Sequence, residues 1–393
     1  MKNSAGAVAA LRRAPEFARE VLGDIRQLSE RACRRTGRDT VQIMEVCGTH
    51  TMSFAQSGLR GLLPDTVRLL SGPGCPVCVT TAADVDRTVW LAHQPGVTLT
   101  TFGDMLKVPG STGSLADASA SGADVRVVYS PADALDLAAA LPDREVVFLG
   151  VGFETTAPLV AATLLRACET GVRNFSVFPL FKLVPPALRA ILAGRSHQND
   201  GFVLPGHVSA IIGLAPYSFV ADEFGVPGVI AGFEPFDLLE AVRLLLNLVT
   251  EEPARIAIQY TRGVPSGGNP AALRMLAESF DPCEAVWRAV GAIAESGLAF
   301  KKHLAEFDAA RKFPGMPACD APEPKGCLCG AILMGRALPA DCRHFGTTCT
   351  PETAVGPCMV SSEGACAAAY KYGFTETSRW KKFGRPRKEA TAP

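Results

Sequence analysis

Charge of one sign is missing from this 393-residue chain, in which 39 Lys and Arg are matched by 39 Asp and Glu. Proteins that bind nucleic acid carry surplus Lys and Arg to neutralise phosphates, so a net charge of zero argues against that class. Only residues 379–388 (RWKKFGRPRK) are locally basic, and they read as a solvated end. Long apolar runs are missing too: no stretch approaches 18 consecutive apolar residues, and no membrane span is expected. The start, MKNSAGAVAALRRAPEFARE, has a brief Ala- and Gly-rich stretch followed at once by arginines, which suits a surface helix over residues 7–35 and not a targeting segment. No G-x-x-x-x-G-K-[ST] phosphate loop occurs, and Gly150-Val-Gly-Phe-Glu lacks the third glycine of a dinucleotide fingerprint, so a nucleotide site has little support. No internal repeat with a period of 20–50 residues is present.

What the chain does have is cysteine, unevenly placed. Seven of the thirteen (Cys319, Cys327, Cys329, Cys342, Cys349, Cys358, Cys366) fall between 319 and 366, and the other six are spread over the first 283 residues. A secreted disulfide scaffold would be short and would follow a signal peptide. A reducing cytoplasm is therefore expected, where clustered cysteines read as metal ligands or redox thiols. Apolar residues make up 48% and charged residues 20%, so the chain can bury real cores, and its length suits two or three domains.

From about 41 to 250, short β-branched runs alternate with helical patterns, which is the signature of α/β architecture with parallel sheets. Strands are expected at 41–46, 67–70, 97–101, 125–129, 145–149, 175–178, 201–204 and 228–231. Helices are expected at 50–60, 82–92, 131–140, 156–167, 185–193 and 236–248. The acidic, Ala-rich stretch 113–124 favours two α/β lobes, divided as residues 1–125, completed by part of 205–300, and 126–300. Residues 282–312, including EAVWRAVGAIAESG, read as one or two further helices. From 301 to 393 a third module follows, rich in Pro, Gly and Cys after Phe313, and a metal centre is the obvious staple for it.

Three constellations carry candidate chemistry. In Met44-Glu-Val-Cys-Gly-Thr-His50 a strand ends and a helix begins, the edge at which open α/β sheets bind ligands. The helix would favour a thiolate at Cys47, with His50 as its proton partner; the bland alternative is a small buried cysteine and a helix-start histidine. In Ser71-Gly-Pro-Gly-Cys-Pro-Val-Cys78, the C-x-x-C spacing of Cys75 and Cys78 suits a reversible disulfide or half of a zinc site, and no second C-x-x-C or H-x-x-H stands elsewhere. Cys327, Cys329, Cys342, Cys349, Cys358 and Cys366 lack paired zinc knuckles, and thiolates without histidine pairs suit an iron–sulfur cluster, with structural zinc as the alternative. Six cysteines exceed four ligands by two, which suggests a cluster beside an exchangeable disulfide. Asp104, Glu154, His207 and Glu234 recur at strand-to-helix junctions, where each caps a helix or together they line a cleft. His93, His197, His303 and His344 have no partner at metal spacing, and Cys33, Cys168, Cys283 and Cys319 stand alone.

Glu45-Val-Cys-Gly-Thr-His-Thr-Met, Gly72-Pro-Gly-Cys-Pro-Val-Cys, Phe102-Gly-Asp-Met-Leu-Lys-Val-Pro-Gly, Gly152-Phe-Glu-Thr-Thr-Ala-Pro, Leu204-Pro-Gly-His-Val, Gly232-Phe-Glu-Pro-Phe-Asp and Cys349-Thr-Pro-Glu through Gly356-Pro-Cys-Met-Val-Ser-Ser-Glu-Gly-Ala-Cys366 run in order over nearly the whole chain. In these stretches it closely resembles the HypD family of hydrogenase maturation factors. The resemblance implies two α/β lobes around a cleft, a C-terminal domain holding a [4Fe-4S] cluster, and a role in building the Fe(CN)2CO group of [NiFe]-hydrogenase. By motif, Cys327, Cys342, Cys349 and Cys366 would be the cluster ligands. Cys329 with Cys358, and Cys75 with Cys78, would be two exchangeable pairs. Cys47 would be an iron ligand shared with the small partner HypC, with His50 close by, and cyanide would come from the carrier HypE. A monomer that forms transient complexes is expected. Two rivals remain: an iron–sulfur thiol–disulfide reductase acting on a protein substrate, and a zinc-stapled interaction protein.

Overall fold

The fold is described from a computed structural model, in which residues 15–194, 199–318 and 321–373 are placed. Cys319, His197 and the basic segment 379–388 lie outside the described residues, as does the part of the expected first helix before Pro15. That helix runs Pro15–Thr36. Among the described residues, no helix is long and apolar enough to cross a membrane.

Among the described residues, nine short strands form two parallel sheets. β1 (Val41–Glu45), β2 (Val67–Ser71), β3 (Val97–Thr101), β4 (Val125–Val127), β5 (Glu145–Gly152), β6 (Phe175–Phe181), β7 (Gly201–Pro205), β8 (Gly228–Ala231) and β9 (Ile256–Ile258) alternate with helices as the β-branched runs predict. The first sheet has the order β2-β1-β7-β8-β9 and the second β4-β3-β5-β6. Sheet membership thus changes between β2 and β3 and returns at β7, whereas the expected division at 125/126 cuts through β4. β7, β8 and β9 join β1 and β2 in the first sheet. Strand interiors are buried on both faces, as β3, β5 and β7 illustrate, which is why they read as continuous apolar runs.

Helix starts follow from local chemistry. Thr81 with Asp84, Ser114 with Asp117 and Ser130 with Asp133 form reciprocal capping boxes, and Pro131, Pro158 and Pro235 sit in first turns where their missing N–H costs nothing.

One expectation fails. Residues 282–312 are not a helical pair: β10 (Phe280–Trp287) and β11 (Gly291–Phe300) form an antiparallel hairpin with a bulge between Cys283 and Ala285. Ala-rich sequence fits either period, and packing decides. Phe280 meets Phe181 at 5.5 Å and Phe300 at 5.3 Å, Trp287 stacks on Phe153 at 6.0 Å, and Ala289 and Gly291 turn the chain at positive φ.

One core is continuous through Met44 and Leu70 of the first sheet, Val147 and Leu149 of the second, and Ile332, Leu333 and Met359 near the C-terminus. The cysteine-rich segment is therefore seated against both sheets. Its helices are short: Cys329–Leu333, Pro357–Val360 and Ala365–Tyr372.

Candidate functional site

Strand order locates the site. In the first sheet the chain departs in opposite directions from β1 and β7, and in the second from β3 and β5. Crevices outside the carboxyl ends of such strand pairs are where parallel sheets bind ligands. Cys47 follows β1, Asp104 follows β3, Glu154 follows β5 and His207 follows β7, so four of the expected strand-end residues stand at the two switch points.

Cys47 has extended backbone (φ −154°, ψ 126°) and caps the helix Gly48–Gln56, with its side chain 7% exposed. Two glycines permit this packing. A Cβ on Gly74 would overlap the Cys47 backbone, and one on Gly48 would lie 2.6 Å from Glu363 Cβ. Below the loop, buried Glu45 accepts from Thr51 Oγ1 at 2.8 Å and from Arg60 Nη2 at 2.5 and 2.7 Å. Burial and then the Glu363 carboxylate push the Cys47 thiol up to about 11, against donors from His50 and Thr49 that pull it down. The expected helix-favoured thiolate is thus reversed: desolvation outweighs the helix start, and Cys47 is a neutral thiol at pH 7 unless a cation replaces its proton.

Only the backbone N–H of His50 reaches that thiol; the ring does not. Its Nε2 donates to the carbonyls of Ala231 (3.1 Å) and Gly232 (3.0 Å), leaving Nδ1 buried and without a hydrogen-bond partner. Burial lowers its pKa to about 4, so the ring is neutral. It stacks on Phe233 at 4.7 Å, and Phe233 in turn stacks on His207 at 3.9 Å.

Cys75 and Cys78 are joined by a disulfide with Cα atoms 5.2 Å apart. The Cys78 N–H donates to Cys75 Sγ at 3.1 Å, and Gly48 N donates to Gly74 O at 2.8 Å, which ties this loop to that of Cys47. Ser361 Oγ lies 3.3 Å from Cys75 Sγ.

The six C-terminal thiols interact as one cluster. Burial raises the Cys366 thiol first, followed by Cys329, Cys327, Cys349 and Cys342, and it raises Cys327 to about 12, with Cys329, Cys342 and Cys349 adding to it against the Cys329 N–H that pulls it down. Cys329 and Cys358 hydrogen-bond to each other, which lowers the Cys329 pKa and raises that of Cys358. Val355 N donates to Cys349 Sγ at 3.3 Å. Among the described residues, no three His, Cys, Asp or Glu side chains converge closely enough to hold a single ion. Thiols gathered without a histidine among them are the donor set of an iron–sulfur cluster, and Cys327, Cys342, Cys349 and Cys366 could hold one.

A sequence model of the HypD family, described as a hydrogenase formation hypA family, matches residues 16–373. The chain belongs to the HypD family. It is 45% identical to hydrogenase maturation factor HypD of Rhodobacter capsulatus over 366 residues, covering 92% of this chain and 97% of that protein. Its likeness to the HypD proteins of Azotobacter vinelandii (46% over 356 residues, 88% and 94% covered) and Escherichia coli (45% over 367, 92% and 96%) is of the same order.

In this HypD-family chain one loop gathers the parts. Thr49 Oγ1 donates to Glu363 at 2.5 Å, and Asp104 Oδ2 accepts from Ser361 Oγ (3.1 Å), Ser362 N (3.1 Å) and Ser362 Oγ (3.0 Å). Segment 358–366 therefore touches both switch points and carries Cys358 and Cys366. Glu154 accepts from Val184 N at 2.9 Å through one oxygen; the other is buried without a partner, and burial raises the carboxyl to about 7. Glu234, exposed, approaches Arg262 at 3.6 Å. Sequence reasoning assigned no role to Arg288, Ser361 and Glu363. Arg288 is fully buried in the β10–β11 turn, where Nε donates to Thr80 O at 2.8 Å and Nη1 to Glu323 at 2.6 Å. Its charge helps lower the Cys329 pKa. A charged residue in a misread helix gave no signal; Ser361 and Glu363 lay inside a quoted motif.

Proposed function

We propose that this chain serves hydrogenase maturation as an iron-binding, redox-active scaffold on which the Fe(CN)2CO group is assembled. The observation that carries the reading is the convergence of three thiol sets on segment 358–366: Cys47 through Glu363, the Cys75–Cys78 disulfide through Ser361, and the C-terminal cysteines through Cys358 and Cys366. Family membership supplies the process, since the HypD relatives are named for hydrogenase maturation.

Iron arrives here as substrate, and Cys47 gives it one sulfur. A thiol with a pKa of about 11 stays protonated until a cation displaces the proton, so iron capture releases H⁺ and strengthens as pH rises. His50, with a pKa of about 4, is a poor base; it offers an unpartnered acceptor nitrogen instead. Cys327, Cys342, Cys349 and Cys366 would hold a [4Fe-4S] cluster, which supplies single electrons when bound. Cys329 and Cys358 form a reduced, hydrogen-bonded pair beside them, with the negative charge favoured on Cys329 and supported by Arg288. That pair and the Cys75–Cys78 disulfide are the two halves of a thiol–disulfide exchange. A HypC-type protein would share the iron through a cysteine, and a HypE-type carrier would bring cyanide, in a reducing cytoplasm, to a chain that is monomeric alone.

The Cys329–Cys358 pair also supports the second reading, a thiol–disulfide reductase for a protein substrate. Visible spectra and metal analysis of anaerobically prepared protein test both. A brown protein with about four irons is expected, and a zinc protein would contradict either reading. Rapid turnover of a generic disulfide would favour the reductase; stable iron bound with a HypC-type partner favours the scaffold.

A further inference from the structure

Cys75 and Cys78 are only 2% and 0% exposed, so a sulfur that gains an electron pair there is poorly solvated, and a hydroxyl fixed beside it is well placed to supply the proton. One route leads outward. Ser361, 1% exposed, places Oγ 3.3 Å from Cys75 Sγ and donates to Asp104 Oδ2 at 3.1 Å. Asp104 is half-buried at the end of β3 and reaches solvent. The hydroxyl also accepts from Glu363 N at 3.2 Å. A hydroxyl has one proton and two lone pairs, so one lone pair is left, and it suits a Cys75 S–H.

We propose that Ser361 and Asp104 form a proton relay to Cys75 during reduction and re-formation of the Cys75–Cys78 disulfide, an inference that rests on the redox role proposed above for this pair. A dithiol is the reductant. Its thiolate bonds to Cys78 Sγ, the Cys75–Cys78 bond breaks, and the bond's electron pair leaves on Cys75. The Ser361 O–H turns from Asp104 to that sulfur and gives up its proton, while a proton from water passes by way of the Asp104 carboxylate to Ser361 Oγ. The second thiolate of the reductant then displaces Cys78, which takes up a proton as the reductant closes its own disulfide. Two electrons and two protons reach the pair, and the reductant loses the same. The oxidative direction is the reverse, with a disulfide as the oxidant: Cys78 opens it to a mixed disulfide, the Cys75 proton leaves through Ser361 and Asp104 to water, and Cys75 displaces the mixed-disulfide sulfur, so that the oxidant departs as a dithiol. Ser361 is the catalytic residue, and Asp104 acts through it as a positioning residue.

Reduction of the full chain by dithiothreitol, followed under anaerobic conditions by quenched alkylation and mass spectrometry of the peptide holding both cysteines, tests this. Ser361→Ala and Asp104→Asn should each slow reduction by about 10- to 100-fold and remove the solvent deuterium isotope effect of the native protein. Ser361→Thr, which keeps the hydroxyl, should restore both. Unchanged rates, or slower rates with the isotope effect intact and no rescue by threonine, would overturn the relay. A native disulfide that resists the dithiol altogether would instead contradict the redox role of the pair, and the relay with it.

Discussion

Cys47 is held as a neutral thiol by burial and by a carboxylate, and both causes can be varied. Because Glu363 raises the Cys47 pKa, Glu363→Gln should lower it, so the thiolate absorbance that separates native protein from Cys47→Ala should appear at lower pH in the variant. No change in that titration would mean that burial alone sets the value. Glu154 permits a linkage test. Its folded pKa of about 7 lies above the ordinary 4.5, so the stability it contributes is present below pH 4.5 and is lost as pH rises through 7. Glu154→Gln keeps the neutral shape. Relative to the native protein it should gain stability across that window, by on the order of 3 kcal/mol at most, measured as urea midpoints at pH 4.5 and 8. His50 acts in the opposite sense: its pKa is depressed from 6.5 to about 4, so its contribution is present above 6.5 and lost as pH falls toward 4. The positions of Cys47 and Glu154 at strand ends were legible from the alternation of apolar runs and turn residues. Their protonation was not, because Glu363 comes to Cys47 from the far end of the chain.

The strand-to-helix turns owe their shape to glycine. Gly74 sits so close to the Cys47 backbone that Gly74→Ala should cost several kcal/mol, seen as a lower unfolding midpoint and loss of iron binding together. Hairpin β10–β11 has a different foundation. Trp287 is 1% exposed, stacks on Phe153 and donates to Ser296 Oγ at 2.9 Å, so Trp287→Ala should destabilise the fold by about 3–5 kcal/mol. Parallel strands were readable because burial on both faces makes them uniformly apolar. The hairpin was not: Ala285, Ala289, Ala292 and Ala294 satisfy either period, and the choice is made by Phe181 and Phe153, which lie in another part of the chain.

Taken whole, the chain builds two sheets, returns to complete the first, and then lays its cysteine-rich end across the switch points of both. Parallel α/β architecture was legible in the alternation of strands and helices, whereas strand order was not, because it is set by pairing partners that sequence proximity does not name. The C-terminal segment has only short helices, and on the function proposed above a metal centre is its staple. Cys349→Ala should abolish the brown colour and expose residues 321–373 to protease, while the sheets stay folded by circular dichroism. The central claim is that Cys47 anchors iron carrying cyanide and carbon monoxide. Anaerobic infrared spectroscopy of the complex with a HypC-type partner tests it most directly: the native protein should show bands of iron-bound cyanide and carbon monoxide that are absent from Cys47→Ala, and full bands in Cys47→Ala would contradict the account.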